Sequence, residues 1–350
     1  MKAPEVTTNA EESQVAADLP ETDRPRRTGR GGVLSSELLE AIALPLAWLA
    51  LIIVFGALRP ETFLSGAKLS SILASQAILV VVALGLIIPL TAGDYDLSVG
   101  SVVLLSAMLV AILNSNVGLP IVVAILIALA AGLIVGVLNG ALVVLVGIDS
   151  LIVTLGMGTF VTGFVQLISG SDTVAGISRD LVTMVIVNRF LGIPYGFYYA
   201  MIVAAIVWYV FSYTPVGRRL LVVGRGREVA RLSGIRVGRV RWGSLIASAG
   251  IAAFAGVLYA GTSGAASPNS GLELLLPAFA AAFLGATAIN PGRFNAWGTV
   301  VAVYFLVTGI TGLQLLGAQS YIQNLFYGAA LIFAVTLSQF VRRRRAASGV

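Results

Sequence analysis

The chain has 350 residues, 58% hydrophobic and 11% charged, with mean hydropathy +0.96 and 22 Lys and Arg against 16 Asp and Glu. Soluble domains carry about a quarter charged residues, so this is the composition of a polytopic membrane protein, whose basic balance sits in loops and not on an aromatic-laced nucleic-acid face. With no Cys and no His it has no disulfide, thiolate site, Ser-His-Asp chemistry or ordinary zinc ligand set, and its lysines, Lys2 and Lys68, complete no phosphate-binding G-x-x-x-x-G-K-[ST] loop, so any use of ATP falls to another subunit.

Residues 1–36 are polar, with acids at Glu5, Glu11, Glu12, Asp18, Glu21 and Asp23, and read as a disordered tail. No apolar stretch near the start suggests a cleaved signal peptide. Arg24, Arg26, Arg27 and Arg30 precede the first span, which predicts a cytoplasmic N-terminus by the positive-inside rule. Windows of about 17–25 apolar residues then predict an all-α bundle of about ten spans within residues 37–341. They fall near 41–58, 74–91, 97–114, 119–146, 150–169, 196–212, 243–263, 274–290, 296–316 and 320–341. Residues 59–73 read as an outer loop with a short interfacial helix, and 170–195 as a polar extracytoplasmic loop.

Parity tests this count. Six spans from a cytoplasmic start return the chain inside at residues 213–242, where eight arginines meet one acid, Glu228. Four more return it inside at residues 342–350, which open with four arginines. Within the basic loop, residues 227–233 read as a short helix closed by Gly234. Composition alone allows this loop to be a topology signal or a surface that meets a soluble partner.

Three stretches place polar groups among the spans. In TAGDYDLSVG, Asp94 and Asp96 join two apolar runs with scarcely a spacer, although a carboxylate at the centre of a membrane helix costs about 2.5–3.5 kcal/mol. Asp96 and Ser98 suit a helix start. The pair can be a tight interfacial turn with helix caps or part of a solute pathway. Asn139 and Gly140 lead to an N-cap signal at Asp149 and Ser150, and then to Thr154, Gly156, Gly158, Thr159, Thr162 and Gly163. Such a face of small residues and hydroxyls packs helices closely or lines a polar cavity. Glu273 opens the span near 274–290, where a helix dipole favours a negative charge. Gly85, Gly93 and Gly100 followed by Ser-Val-Val loosely echo Gly285, Gly292 and Gly298 followed by Thr-Val-Val, a hint of internal duplication.

Taken together, these stretches resemble the permease subunits of ribose-type bacterial ABC importers, a family shared by sugar and branched-chain amino-acid uptake systems. Residues 96–100 are similar to that family's DLSVG, Asn139-Gly140 to its NG, and residues 152–156 to its IVTLG. Residues 214–218 and 230–235 are similar to its TPxGR and ARLSGI cytoplasmic signature, and Gly271, Glu273 and Leu274 to its GxEL. The sequence departs from the family at Ala92 to Tyr95, at Ser150-Leu151, at residues 224–227 and at the reduced glycine turn Pro291-Gly292, which bears on the substrate.

The resemblance implies a type II ABC importer permease fold in the bacterial cytoplasmic membrane, with both termini inside. It implies a second permease copy or close homologue, an ATPase subunit, an extracytoplasmic solute-binding protein, and no cofactor or metal in this chain. A monosaccharide is the implied solute. The docking helix would carry Arg227, Val229, Ala230, Arg231, Leu232, Ser233, Gly234 and Ile235. The pathway or helix-break candidates are Asp94, Asp96, Ser98, Asn139, Thr154 and Glu273. The alternatives are an ion-gradient-driven secondary transporter, for which Asp94 and Asp96 are the available acids, and a membrane-embedded enzyme, which the absence of His and Cys disfavours.

Overall fold

The computed structural model describes the backbone of residues 30–63, 65–268 and 271–347, and side chains from residue 41 to 336 apart from 64, 67, 269, 270 and 272. Most of the expected N-terminal tail and the side chains of the C-terminal arginine cluster lie outside the described residues. The chain divides into two compact units, Met1–Leu39 and Glu40–Val350. Of the first, only residues 30–39 are described, as helical backbone; the second forms the bundle.

The helices are α1 (Arg30–Leu58), α2 (Pro60–Phe63), α3 (Gly66–Ser75), α4 (Ala77–Thr91), α5 (Val99–Ala111), α6 (Ile121–Ala141) and α7 (Ser150–Ser169). They continue as α8 (Arg179–Val182), α9 (Tyr195–Tyr213), α10 (Pro215–Arg225), α11 (Arg227–Leu232), α12 (Val237–Ser263), α13 (Leu275–Gly285), α14 (Ala296–Leu315) and α15 (Tyr321–Ala347). Thus α1 opens inside the segment read as tail. Two-residue strands β1 (Val174–Ala175) and β4 (Ala265–Ala266) pair antiparallel, and β2 (Arg189–Phe190) pairs with β3 (Ile193–Pro194).

Among the described residues, eight helical stretches are long and apolar enough to cross a membrane, and two shorter apolar helices accompany them. Together they occupy the ten places predicted. The stretch Ile121–Val146 is one continuous helical segment of 26 residues, long and apolar enough to cross, with a π-helical end at Leu142–Val146. Residues 59–73 hold α2 and most of α3, whose apolar stretch runs on into α4 as Lys68–Thr91.

Every residue of α4 is buried, as expected of a helix that is apolar all round. It sits at the centre with α5, α12 and α14, which are mostly buried, while α6, α7 and α9 keep most of their surface outside. Their outward residues, such as Leu126, Phe160, Leu167 and Ile206, form an apolar exterior suited to lipid. Gly132, Gly136 and Gly140, one turn apart on α6, close that helix onto Ala253, Ala249 and Trp242 of α12; a Cβ at any of them would collide.

The expected full span near 274–290 is corrected by the structure. Its helix, α13, has 11 residues, about 16 Å at ~1.5 Å per residue against a hydrocarbon core of about 30 Å. After α12 and β4 the described residues 267 and 271 lie along α5. Ser267 lies with Val103 and Ala107, and Gly271 packs on the Gly100 carbonyl and Leu104. So α13 starts deep in the bundle, beside the first turn of α5. Hydropathy counts apolar residues and cannot tell a helix from a re-entrant segment covered by protein, where irregular backbone is tolerated.

A second irregular point joins α4 to α5 at residues 92–98. Both α4 and α13 are followed by a glycine with positive φ, Gly93 at 79° and Gly292 at 82°, a conformation that costs glycine little. The next helices start at Val99 and at Ala296.

Candidate translocation and coupling site

The break at residues 92–98 gathers most of the residues singled out from sequence. Pro89 lies in the last turn of α4, and the Asp94 N–H donates to its carbonyl at 2.9 Å across the turn that Gly93 makes. This reversal sends the Asp94 side chain to the arginine-rich end of the bundle, where it is fully buried. Arg241, in the first turns of α12, donates to it through both Nε (2.8 Å to Oδ2) and Nη2 (2.6 Å to Oδ1). Arg227, the first residue of α11, donates through Nη2 to Asp94 Oδ1 and to the Gly93 carbonyl, each at 3.0 Å. Two-point guanidinium–carboxylate contact of this kind fixes geometry as well as charge. Asp94 therefore has its partners inside the protein and ties the connector α10–α12 to the break.

Asp96 and Ser98 turn the other way, into the bundle. Ser98, and not Asp96, is the N-cap residue of α5. Asp96 Oδ1 accepts from the Ser98 N–H (3.0 Å) and from Ser98 Oγ (2.6 Å), so it steadies the turn before the helix. Asn139 on α6 donates from Nδ2 to Ser98 Oγ at 2.9 Å. Thr154 on α7 accepts from the Leu97 N–H at 3.0 Å and donates to the Ser150 carbonyl at 2.8 Å. Ser150 Oγ accepts from the Tyr95 N–H at 3.1 Å, and Asp149 caps α7 through the Leu151 N–H at 2.9 Å. Thus three motifs read separately along the chain meet as one hydrogen-bonded knot. Asp96, Ser98, Asn139 and Thr154 are all buried, and satisfying the backbone of the break is what such groups do at membrane depth. Asp96 Oδ2, Asn139 Oδ1, Ser101 Oγ and Ser248 Oγ are buried without a partner among the described residues.

Beside the knot, a cleft of about 300 Å³ opens between α5, α7 and the start of α13, with Ser101, Thr159, Thr162 and Gln166 as its polar lining. The small-residue face of α7 therefore divides. Thr154 and Gly158 pack inward, Thr159 and Thr162 border the cleft, and Gly156 stands free. Leu97 and Leu275 wall this cleft and also a second, apolar one of about 340 Å³ reaching Tyr95 and Phe283. Sequence reasoning passed over these two leucines, which carry no polar signal. Glu273 lies exposed in the short 3-10 turn Leu272–Leu274 just before α13, outside both clefts.

The expected docking helix is α11, six residues long. Gly234, at φ 77°, reverses the chain, and the Ile235 N–H reaches back to the Ala230 carbonyl at 3.0 Å, a Schellman-type closure. Ala230 is fully buried and Arg227 is held on Asp94, so these two face the protein. Val229 (65% exposed) and Leu232 (82%) project outward, with Arg231 and Ser233 beside them. Ile235 lies half-buried beyond the helix end and does not continue their face.

A bundle of apolar helices, broken twice at depth and tied at one end to an arginine-rich helical connector, defines a multi-pass membrane permease. Residues 68–335 match the family described as the branched-chain amino acid transport system permease component, and the chain belongs to that family. It is 32% identical over 314 residues to the galactose/methyl galactoside import permease protein MglC of Escherichia coli, covering 84% of this chain and 92% of that one. It is 30% identical over 296 residues to the D-allose transport system permease protein AlsC of Escherichia coli, covering 84% and 90%. With the ribose import permease protein RbsC of Haemophilus influenzae the identity is 27% over 303 residues, covering 86% and 93%. No solved structure matches the chain.

Proposed function

We propose that this chain is the translocation subunit of an ATP-driven importer for a monosaccharide, working in the bacterial cytoplasmic membrane with its arginine-rich end inside. The observation that carries the reading is the link from α11 through Arg227 and Asp94 to the break at residues 92–98. A soluble ATPase that moves α11 moves a segment bonded to α6 and α7 and adjoining the polar cleft, with no flexible loop between. The exposed Val229 and Leu232 are its docking face, and the surrounding arginines add partner choice more than affinity.

The cleft supports a sugar as cargo. Hydroxyls and an amide from Ser101, Thr159, Thr162 and Gln166 match a solute that is neutral and rich in hydroxyls, as do the relatives named for galactose, allose and ribose. Leu97 and Leu275 separate this cleft from the apolar one and act as a gate, with rocking of the helices around it giving alternating access. The cleft opens along the exposed side of α7, and a second copy or close homologue completes the pathway. An extracytoplasmic binding protein delivers the sugar. The two-residue strand pair β1–β4 and the loop of residues 170–194 belong to that side.

The carboxylates disfavour an ion-driven transporter, which needs an acid free to bind and release its ion. Asp94 is neutralised by two guanidinium groups and Asp96 is fully buried. Proteoliposomes holding the complex distinguish the two: sugar uptake should require ATP and binding protein and survive collapse of the ion gradients. Uptake without ATP that vanishes with an uncoupler refutes the importer.

A further inference from the structure

An apolar groove runs along the outside of the bundle between α9 and α12, far from the polar cleft. It holds about 430 Å³, within the range of ligand pockets. Its walls include Ile206 and Val210 of α9 and Ala247 and Ile251 of α12, and its polar lip carries Arg219 of α10 and Arg239 of α12. Both arginines are exposed, and no carboxylate among the described residues pairs with either.

We propose that this groove is a binding site for an anionic phospholipid, its acyl chain along α12 and its phosphate between Arg219 and Arg239. The dimensions fit. From Arg239 to Ile251 is twelve residues of helix, about 18 Å at ~1.5 Å per residue, against about 15 Å for half of a ~30 Å hydrocarbon core. The groove therefore spans one leaflet, with its charged end at the interface and its closed end near the midplane. The surroundings are lipid-facing: Ile202 and Ile206 of α9 are more than half exposed. Trp208, Tyr209 and Tyr213 mark the interfacial level at the arginine-rich end of α9. Two cations, unpaired among the described residues, above an apolar slot complement a phosphate joined to an alkyl chain, and anionic head groups enrich the cytoplasmic leaflet. The site does not depend on which solute is carried.

Gly243 offers a direct handle, since it lines the groove and a Cβ there meets nothing within 4 Å. Bulk at this position therefore enters the groove from a point where the backbone leaves room, with Gly243→Leu as the milder and Gly243→Trp as the larger filling. The experiment is native mass spectrometry of the purified full-length permease in detergent, titrated with phosphatidylglycerol, phosphatidylcholine or inorganic phosphate. The wild type should hold phosphatidylglycerol at least about tenfold more tightly than phosphatidylcholine, the order expected when two basic residues meet an anionic head group. The Arg219→Gln/Arg239→Gln variant should bind the two lipids alike, and Gly243→Trp should weaken both. Inorganic phosphate should fail to displace the lipid. Equal binding of both lipids by the wild type overturns the proposal, as does phosphatidylglycerol binding unaffected by these variants. Displacement by inorganic phosphate reduces the site to an anion site, and a Gly243→Trp effect confined to self-association makes the groove a contact between copies; either result also overturns it.

Discussion

Replacing Asp94 by Ala should weaken both the fold and its response to the ATPase. The carboxylate is fully buried and holds two guanidinium groups, of which Arg241 is 15% exposed and Arg227 47%. Removing one partner of a buried ion pair costs about 3–5 kcal/mol, because the remaining charge is left unpaired. Most of that falls on Arg241, which makes the two-point contact; Arg227 is half in solvent, and its share is held to about 1 kcal/mol or less. At about 2 °C per kcal/mol for a large chain, Asp94→Ala should lower the unfolding midpoint in detergent by about 6–10 °C, and Arg227→Ala by no more than about 2 °C. The two should nonetheless agree in a second readout, loss of ATP-driven uptake by the reconstituted complex, since both cut the tie between α11 and the break. Arg241→Ala in the Asp94→Ala background should cost less than in the wild type, the sign of direct coupling. Wild-type stability and uptake in Asp94→Ala would refute the reasoning.

Asp96→Asn keeps an acceptor for the Ser98 N–H and hydroxyl and removes a buried charge, so uptake should persist, whereas Asp96→Leu strands both donors at about 1–3 kcal/mol; equal and complete loss in both variants, at normal expression, would instead give the charge itself a role. Gly224→Val should destabilise the packing of α10 on the end of α4, because a Cβ there collides with the Thr91 carbonyl; a wild-type midpoint would contradict that packing. In this Cys-free chain, an impermeant thiol reagent outside intact cells should label Ser178→Cys and spare Ser233→Cys, and the reverse pattern would invert the proposed orientation.

Much of the architecture was legible because it rests on local signals. Apolar runs gave all ten helical places, and Asp149 announced the start of α7. Glycine after a basic helical run announced the end of α11. What stayed hidden depends on contacts across long sequence distances. Nothing near Asp94 points to Arg227 or Arg241, more than 130 residues away, and the arginine run reads as a topology signal although two of its members are committed to one acid. The half-crossing α13 was hidden because hydropathy reports composition and not depth. Asp96, Ser98, Asn139 and Thr154 could be picked out as polar groups among apolar ones. Only helix packing shows that they form one knot around the break, while Thr159, Thr162 and Gln166 border the cleft beside it.

The central claim is that α11 is where the ATPase takes hold. Leu232 is 82% exposed, so Leu232→Glu should leave membrane levels and thermal stability unchanged while placing a charge in the proposed contact. The measurement is ATP hydrolysis by the reconstituted complex with and without sugar-loaded binding protein, together with retention of the ATPase on the immobilised permease. The account predicts weakened retention and lost stimulation. A Leu232→Glu permease that holds its ATPase and is stimulated like the wild type would contradict it and return α11 to a topology signal.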